Sequence, residues 1–289
     1  MDFYTTAILQ GLGFTALGLG IFLTLKIFNI PDITTDGSYT LGGAVTAIML
    51  VNGFNPYITL LVAVCSGMIA GFTTGIIHTK LKVNALLAGI LVMTALYSIN
   101  LSIMGRSNIP LTQTPTIFSA ITFTSNEFNN KAVLFALFSA LLFLFINWLL
   151  KTDFGIAMRA TGNSESMVRS LGVDTQRMKI IGLALANGLT ALSGFLITQY
   201  QGFADINMGI GIVISGLGAV IIGDSLVKLL RNNKLFVQIL GVIAGTILFR
   251  LILAFALDSG LNPNYLKLIT AAIVLLVVSV TRFTKEESR

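Results

Sequence analysis

The chain alternates between long apolar runs and short polar connections. Runs such as 133–150 and 269–280 are unbroken, whereas a membrane β-barrel has alternating segments of about ten residues. Because about 20 apolar residues cross the hydrocarbon core as one helix, the pattern predicts a series of membrane-spanning helices. We expect eight of them, near 6–28, 56–78, 83–104, 131–150, 178–200, 208–227, 235–257 and 264–281.

A ninth apolar segment, 39–54, is shorter than the others. Helix-breaking residues lie in it and around it: Pro31, Gly37, Gly42, Gly43, Gly53 and Pro56. Irregular backbone is tolerated at membrane depth where it is buried in protein or lines a cavity. We therefore expect a broken or re-entrant helix here, or a full span. The predicted fold class is all-α: a polytopic transmembrane helix bundle of 8–9 membrane segments.

Composition supports a membrane protein. Hydrophobic residues make up 55% of the 289, charged residues only 10%, and the mean hydropathy is +0.88, whereas soluble domains carry about 25% charge. Lipid must therefore be the solvent for most of the surface. No shift in composition marks a second domain, so residues 1–289 are predicted to form a single transmembrane domain. His78 and Cys65 are the chain's only histidine and cysteine, and we expect no metal site.

The basic residues predict an orientation rather than a nucleic-acid partner, despite the net charge of +6. They lie in short loops between apolar segments. If the C-terminus is cytoplasmic and 39–54 crosses the membrane, 14 of the 18 Lys and Arg residues fall on the inner side, as the positive-inside rule requires. We expect the N-terminus outside and the C-terminus in the cytoplasm.

Two connections are longer than turns, and long ordered loops are often functional. The outer loop, 105–130, carries Pro110 and Pro115. The inner loop, 151–177, contains a predicted two-turn helix that Asn163 or Ser164 caps and Gly172 ends.

This short helix has two faces. Glu165 and Arg169 form an i, i+4 pair on one of them. On the other, Met167, Val168 and Leu171 form an apolar edge, which suits a protein partner. The alternative is that this edge lies on the bilayer or packs beneath its own bundle.

The inner loop resembles the cytoplasmic coupling loop of ATP-binding-cassette (ABC) importer permeases of the branched-chain amino acid and ribose type. The resemblance lies in Gly155, in Arg159-Ala160-Thr161-Gly162-Asn163 and in Leu171-Gly172-Val173. Further similar blocks are 30–42, 86–90, 97–100 with 103–105, and 199–209 running to 221–224. These blocks are similar to a subgroup often paired with binding proteins for aromatic amino acids.

The resemblance implies a permease subunit that moves a small solute, such as an amino acid or a similar metabolite, across a bacterial plasma (inner) membrane by alternating access. It implies a second permease copy, expected as a homodimer, cytoplasmic ABC ATPase subunits and an extracytoplasmic substrate-binding protein. The ATPase-coupling residues would be Gly155, Arg159, Gly162, Asn163, Glu165, Met167, Val168, Leu171 and Gly172.

The chain has no Gly-x-x-x-x-Gly-Lys-Ser/Thr phosphate loop. We therefore expect no cofactor in this chain and no enzymatic activity of its own, with ATP bound by the partner subunits.

Polar residues within or beside apolar segments are candidates for a translocation pathway, because they are costly in lipid. The candidates are Asp36, Ser38, Tyr39, Tyr97, Asn100, Gln199, Gln201, Asp205 and Asn207. Asp36 and Asp205 lie beside glycines and are the strongest of these. Asn84, Asn100 and Asn187 have an alternative role in hydrogen bonds between helices.

Arg250 is a basic residue well inside a predicted span. It is a candidate anion-binding group of the pathway, and the alternatives are snorkelling to the interface or pairing with an aspartate.

Two other function classes remain open at this stage. A secondary active transporter would need buried carboxylates or sodium-binding broken helices, and few acidic residues besides Asp36 and Asp205 lie near the membrane interior. An intramembrane enzyme would need a catalytic set, and the common motifs are missing.

Overall fold

The computed structural model describes residues 3–112, 114–124, 126–230, 234–262 and 265–286. Arg231 and Arg289, two of the basic residues assigned to the inner side, lie outside this range. The helices, in chain order, are α1 (Phe3–Gly13), α2 (Thr15–Phe22) continued by a π-helical turn (Leu23–Ile27), α3 (Thr34–Val51), α4 (Pro56–Thr79), α5 (Ala85–Met104), α6 (Ile117–Ala120), α7 (Glu127–Leu149), α8 (Asp153–Asn163), α9 (Glu165–Ser170), α10 (Thr175–Gln201), α11 (Ile212–Leu229), α12 (Leu235–Asp258) and α13 (Leu266–Glu286).

The chain folds as a multi-pass helical membrane protein. Among the described residues, six helices are long and apolar enough to cross a membrane: α4, α5, α7, α10, α11 and α12. A seventh span results if α1 and α2, which meet at an angle of 42°, are counted together. We call α1, α2 and the π-helical turn the first span. Helices α3 and α13 also fall where apolar segments were predicted, so all nine predicted segments are helical.

The prediction of a broken helix at 39–54 is wrong, because α3 runs without interruption from Thr34 to Val51. Its glycines permit close packing instead. A Cβ atom at Gly42 would clash with the carbonyl oxygen of Ala191 on α10. Small residues at such contacts let membrane helices approach closely. The break lies in the first span, where α1 ends and α2 begins around Phe14.

Helix α10 is the centre of the bundle. Of the residues in its most apolar stretch, 89% are buried, and it packs against α3, α4 and α2. Glycines again allow α10 to lie close to its neighbours. A Cβ atom at Gly194 of α10 would clash with the carbonyl oxygen of Tyr39 on α3, and one at Gly71 of α4 would clash with that of Leu183 on α10. This helix therefore connects several spans.

A two-stranded antiparallel sheet joins the outer loop to the segment after α10. Strand β1 (Asn108–Pro110) pairs with β2 (Phe203–Asp205), with Ile109 opposite Ala204. The side chains of both central residues are buried. The outer loop is therefore held at the end of α10, where the predicted residues Gln199 to Asn207 lie. The outer loop precedes α7 and the inner loop follows it, so the two loops lie at opposite ends of that helix.

Candidate functional site

The inner loop forms two short helices rather than one. The predicted helix is α9, and α8 precedes it as an addition that the sequence pattern had not indicated. The hydroxyl of Thr152 caps α8 by accepting a hydrogen bond from the Gly155 amide at 3.2 Å. Ser164 occupies the N-cap position of α9 without a side-chain hydrogen bond. Gly172 follows α9 with φ +85°, a conformation that favours glycine at the end of a helix.

The apolar edge of α9 consists of two residues. Met167 is 62% exposed and Leu171 is 71% exposed. Val168, which the sequence placed with them, is only 4% exposed, so its assignment to the exposed edge is wrong. Residues i and i+4 share one helix face, whereas residue i+1 points about 100° away. We call Met167 and Leu171 the exposed edge.

An ion-pair cluster attaches α9 to the central helix. Glu165 accepts from Arg169 at 2.8 Å and from Lys179 of α10 at 2.5 Å. The Thr175 hydroxyl donates to the same carboxylate at 3.2 Å. The hydrogen bond from Lys179 lowers the pKa of Glu165. The predicted Glu165–Arg169 pair is therefore present, and a second cation holds the carboxylate on α10.

Glycines attach α8 to the spans on either side of it. A Cβ atom at Gly155 would clash with the carbonyl oxygen of Leu149, at the end of α7. One at Gly162 would clash with the carbonyl oxygen of Ile27, at the end of the first span. These two coupling-motif glycines are thus needed where backbones meet closely. As a result, the helix pair α8–α9 contacts α7, the first span and α10.

Beside this helix pair is a polar cavity of about 570 Å³. Its lining includes Lys26, Asn29, Arg159 and Asn163. The Nε atom of Arg159 is buried and has no hydrogen-bond partner among the described residues. Lys26 is held at 2.7 Å by Asp224, which also pairs with Lys228. The coupling-motif residues Arg159 and Asn163 therefore line one cavity.

At the other end of the bundle a second polar cavity, of about 470 Å³, lies beneath the outer loop. Gln199 and Gln201 line it. The side-chain oxygen (Oε1) of the buried Gln199 accepts from the Ile117 amide at 2.7 Å and so holds α6 in place. Asp205, on β2, accepts from the Asn207 amide at 2.8 Å within its own turn. Four predicted pathway residues thus lie at this end of α10.

Two other predicted pathway residues, Asp36 and Asn100, make bonds that connect helices. The Asp36 carboxylate accepts from the amides of Gly211 and Val213, at 2.8 and 2.9 Å, and so caps α11. Asn100 donates to the Gly37 carbonyl at 3.2 Å, as the interhelical alternative predicted. Tyr97 is apart from this group, with 47% of its surface exposed on α5.

A buried polar cluster lies between α3 and α10. Ser38 donates to the Asn187 side-chain oxygen at 2.7 Å, and the Asn187 amide donates to Asp32 at 2.7 Å. Asp32 also accepts from the Thr34 amide at 2.9 Å. Asn187 therefore bonds between helices, as its alternative role predicted, whereas Asn84 caps α5 through the Leu86 amide. Asp32 was not singled out from the sequence. Its position beside Pro31, just before α3, was the signal that could have indicated it.

Arg250 and Tyr39 both pack against one aromatic ring, that of Phe14. The guanidinium carbon of Arg250 is 3.7 Å from the centre of the Phe14 ring. Phe14 stacks on the buried Tyr39 with ring centres 5.9 Å apart. No described carboxylate forms a salt bridge with Arg250, so the predicted alternative of pairing with an aspartate is not found in this part of the chain. Phe14 was not among the predicted residues.

These features define a membrane transport protein with an exposed helix pair at one end and polar cavities at both. The family model described as "Branched-chain amino acid transport system / permease component" matches residues 3–279, and the chain belongs to this family. It is a permease subunit of an ABC importer, a transport component rather than an enzyme. This excludes the secondary active transporter and the intramembrane enzyme. Permeases of this family work with ATPase and substrate-binding partners.

Several known permeases are similar along most of the chain. The tyrosine transport system permease protein of Clostridioides difficile (strain R20291) is 40% identical, over 92% of this chain and 87% of its own length. The galactofuranose transporter permease protein of Escherichia coli (strain K12) is 28% identical, over 91% and 75%. A branched-chain amino acid transport permease protein of Methanocaldococcus jannaschii is also 28% identical, over 90% and 85%.

Proposed function

We propose that this chain imports an amino acid or a similar small metabolite across the bacterial plasma membrane. Its 40% identity to a tyrosine transport permease supports an amino-acid substrate. Two copies of the chain form the transport unit, cytoplasmic ATPase subunits bind and hydrolyse ATP, and an extracytoplasmic substrate-binding protein delivers the solute. This chain itself holds no cofactor.

The proposed topology has nine membrane segments, with the N-terminus outside and the C-terminus in the cytoplasm. The segments are the first span, α3, α4, α5, α7, α10, α11, α12 and α13. An unbroken α3 of 18 residues supports a crossing, because at 1.5 Å per residue it is about 27 Å long, close to the hydrocarbon thickness. The inner loop then lies in the cytoplasm with most of the Lys and Arg residues.

The observation that carries this proposal is the exposed edge of α9. Met167 and Leu171 are large apolar side chains that are mostly exposed. Burying them against another protein removes apolar surface from water. We assign this edge to the ATPase interface, with the cavity lined by Arg159 and Asn163 beside it.

The helix pair is attached in a way that suits transmission of movement. Glu165 and Lys179 fix α9 to the central helix α10, and Gly162 seats α8 on the end of the first span at Ile27. A displacement of the helix pair by an ATPase therefore acts on both the first span and α10. This is the route by which we expect ATP hydrolysis to drive alternating access.

The other end of the bundle is proposed to receive the solute. The cavity of about 470 Å³ beneath the outer loop is lined by Gln199, Gln201 and Lys131 among others, and its size suits an amino acid. Asp205 and Asn207 lie on the neighbouring turn. We assign these residues to the surface that the substrate-binding protein contacts.

The experiment compares Leu171→Asp with Ser170→Asp, which introduces the same charge at the adjacent exposed residue. An unpaired charge in a desolvated interface costs several kcal/mol, so Leu171→Asp should lose co-purification of the ATPase and uptake of labelled L-tyrosine and mixed amino acids. Membrane abundance should match the wild type, because neither side chain packs inside the bundle. Wild-type ATPase recovery and uptake in Leu171→Asp would show that the exposed edge is not the docking surface.

A further inference from the structure

Arg250 lies inside a membrane helix and has no acidic partner among the residues that the structure describes. It is eight residues before the end of α12 at Asp258, which corresponds to about 12 Å along the helix. The carboxylates at this end have other partners. Asp36 caps α11, Asp205 accepts within its own turn, and Asp258 accepts from the Tyr4 hydroxyl at 2.7 Å. Intramembrane charges usually pair with one another or mark a substrate pathway. Because no described carboxylate pairs with Arg250, a role in the pathway is the explanation that remains.

The guanidinium is held by an aromatic ring at the break of the first span. It lies 3.7 Å from the centre of the Phe14 ring, and this cation–π contact offsets part of the cost of the charge. Phe14 separates α1 from α2, which meet at 42°. Next to the break, Ser139 and Ser193 donate to the carbonyls of Leu12 and Gly13, at 3.2 and 2.9 Å. Transporter binding sites commonly lie at discontinuous membrane helices, and the break at Phe14 is such a place in this chain.

Arg250 faces a narrow crevice between the first span, α11 and α12. Its lining includes Phe14, Ser215, Gly216 and Phe249. Ser215 has a polar hydroxyl for which the described residues provide no hydrogen-bond partner. The crevice has a volume of only about 10 Å³, which is room for about one water molecule. The two polar groups thus present donors, a cation and a hydroxyl, in a space that is closed in this conformation.

We propose that Arg250 and Ser215 bind the carboxylate of the transported amino acid during translocation, when the crevice is wider. A planar guanidinium matches a carboxylate in a bidentate arrangement, and the hydroxyl supplies a further donor. The ring of Phe14 holds the guanidinium in place through the cation–π contact. This inference rests on the proposed amino-acid import. It adds a binding group to the pathway and places that group at the break of the first span.

The test uses the complete transporter, with its ATPase and substrate-binding protein, reconstituted in phosphatidylcholine vesicles. The probe is a mixture of ¹⁴C-labelled amino acids that includes L-tyrosine. Arg250→Gln should lower the initial rate of uptake by about tenfold or more, the loss expected for a charge-assisted bond to the solute. Arg250→Lys should retain part of the rate. The control is Lys267→Gln, which removes a positive charge at the start of α13 and should transport at the wild-type rate.

A second pair of variants separates binding from folding. Ser215→Asp supplies an internal carboxylate that can pair with Arg250, so we expect a higher melting temperature and loss of uptake. Ser215→Asn, which is uncharged and similar in size to aspartate, keeps a hydrogen-bond donor at this position and should therefore retain more uptake than Ser215→Asp. A purely structural Arg250 would predict that the more stable Ser215→Asp protein transports normally. If Arg250→Gln does not reach the membrane, the comparison of Ser215→Asp with Ser215→Asn decides alone whether Arg250 binds the solute.

The outcomes distinguish the inference from the proposed function. Wild-type rates in Arg250→Gln, or equal uptake by Ser215→Asp and Ser215→Asn, would overturn the role of Arg250 while leaving amino-acid import intact. A wild-type transporter that hydrolyses ATP but takes up none of the labelled amino acids would refute the proposed substrate class, and this inference would fall with it.

Discussion

The ammonium of Lys179 on α10 lies 2.5 Å from the carboxylate of Glu165 on α9. This contact joins α9, the proposed coupling element, to the most buried of the membrane-spanning helices described. Arg169 of α9 and Thr175 at the start of α10 bind the same carboxylate, so one acidic side chain connects α9 with the first turns of α10. The position of α9 therefore depends on the charge of Glu165.

Acidification should release α9 from α10. Lys179 lowers the pKa of Glu165 in the folded protein. The stabilisation that this ion pair gives to the α9–α10 contact is therefore fully present above the ordinary carboxyl pKa of about 4.3. It is lost as the pH falls through the lower pKa of the folded protein. A spin label at Ser170→Cys, in a Cys65→Ser background, should stay immobile at pH 4.3 and become mobile below it.

The control for this titration is Lys179→Ala, which removes the principal cause of the pKa shift. In that variant the mobile fraction should appear at higher pH, closer to the ordinary value for a glutamate. A transition at the same pH in both proteins would show that Lys179 does not hold α9.

The arrangement of Glu165 illustrates what the sequence could predict. The i, i+4 pair with Arg169 and the end of the helix at Gly172 follow from local spacing, and both are present. Lys179 is 14 residues away, on a helix whose position relative to α9 depends on tertiary packing. Val168 was misplaced for the same reason, since an apolar pattern does not show which side of a short helix meets the bundle.

The membrane helices were predictable because a continuous apolar run has one structural solution in lipid. The glycines of α3 were misinterpreted, since glycine serves equally for a break and for close packing. Gly42 packs on Ala191, a contact between segments far apart in sequence. Phe14 looked like ordinary apolar sequence, and only the fold brings it into contact with both Arg250 and Tyr39.

Gly162→Ala should impair coupling although alanine favours helix formation. The substitution raises intrinsic helix propensity by about 1 kcal/mol, but the new Cβ atom would clash with the carbonyl oxygen of Ile27. Helix α8 must then move away from the first span. We expect lower uptake per molecule of ATP hydrolysed, at unchanged membrane abundance.

The matched control is Ala160→Gly in the same helix. It lowers helix propensity by a similar amount and introduces no clash, so uptake per ATP should stay near the wild-type ratio. If Ala160→Gly is the more uncoupled variant, helix stability rather than contact with the first span governs transmission.

Asp36→Asn should be more damaging than Asp205→Asn. Each carboxylate oxygen of Asp36 accepts from one backbone amide at the start of α11; asparagine keeps one of these acceptors and no charge, which costs about 1 kcal/mol. Asp205 accepts from a neighbouring amide within its own turn, where an asparagine can also accept. Thermal unfolding in detergent should show a lower melting temperature for Asp36→Asn, and equal values for the two variants would contradict the capping role.

The buried cluster of Asp32, Ser38 and Asn187 should behave as a unit. Asn187→Ala removes a donor to the Asp32 carboxylate and an acceptor for the Ser38 hydroxyl. A buried group left without a partner costs about 1–3 kcal/mol, and more when it is charged. The loss should exceed that in Asn84→Ala, where only the cap of α5 is removed.

A double-mutant cycle tests the contact between Asp32 and Asn187 directly. In the single variant Asn187→Ala the Asp32 carboxylate remains, whereas Asp32→Ala combined with Asn187→Ala removes both partners. The double variant should therefore be more stable than the sum of the single losses predicts, with an interaction energy of about 0.5–3 kcal/mol. The measurement is the free energy of unfolding of the purified permease in detergent. Additive losses would mean that the bond at 2.7 Å contributes nothing beyond packing.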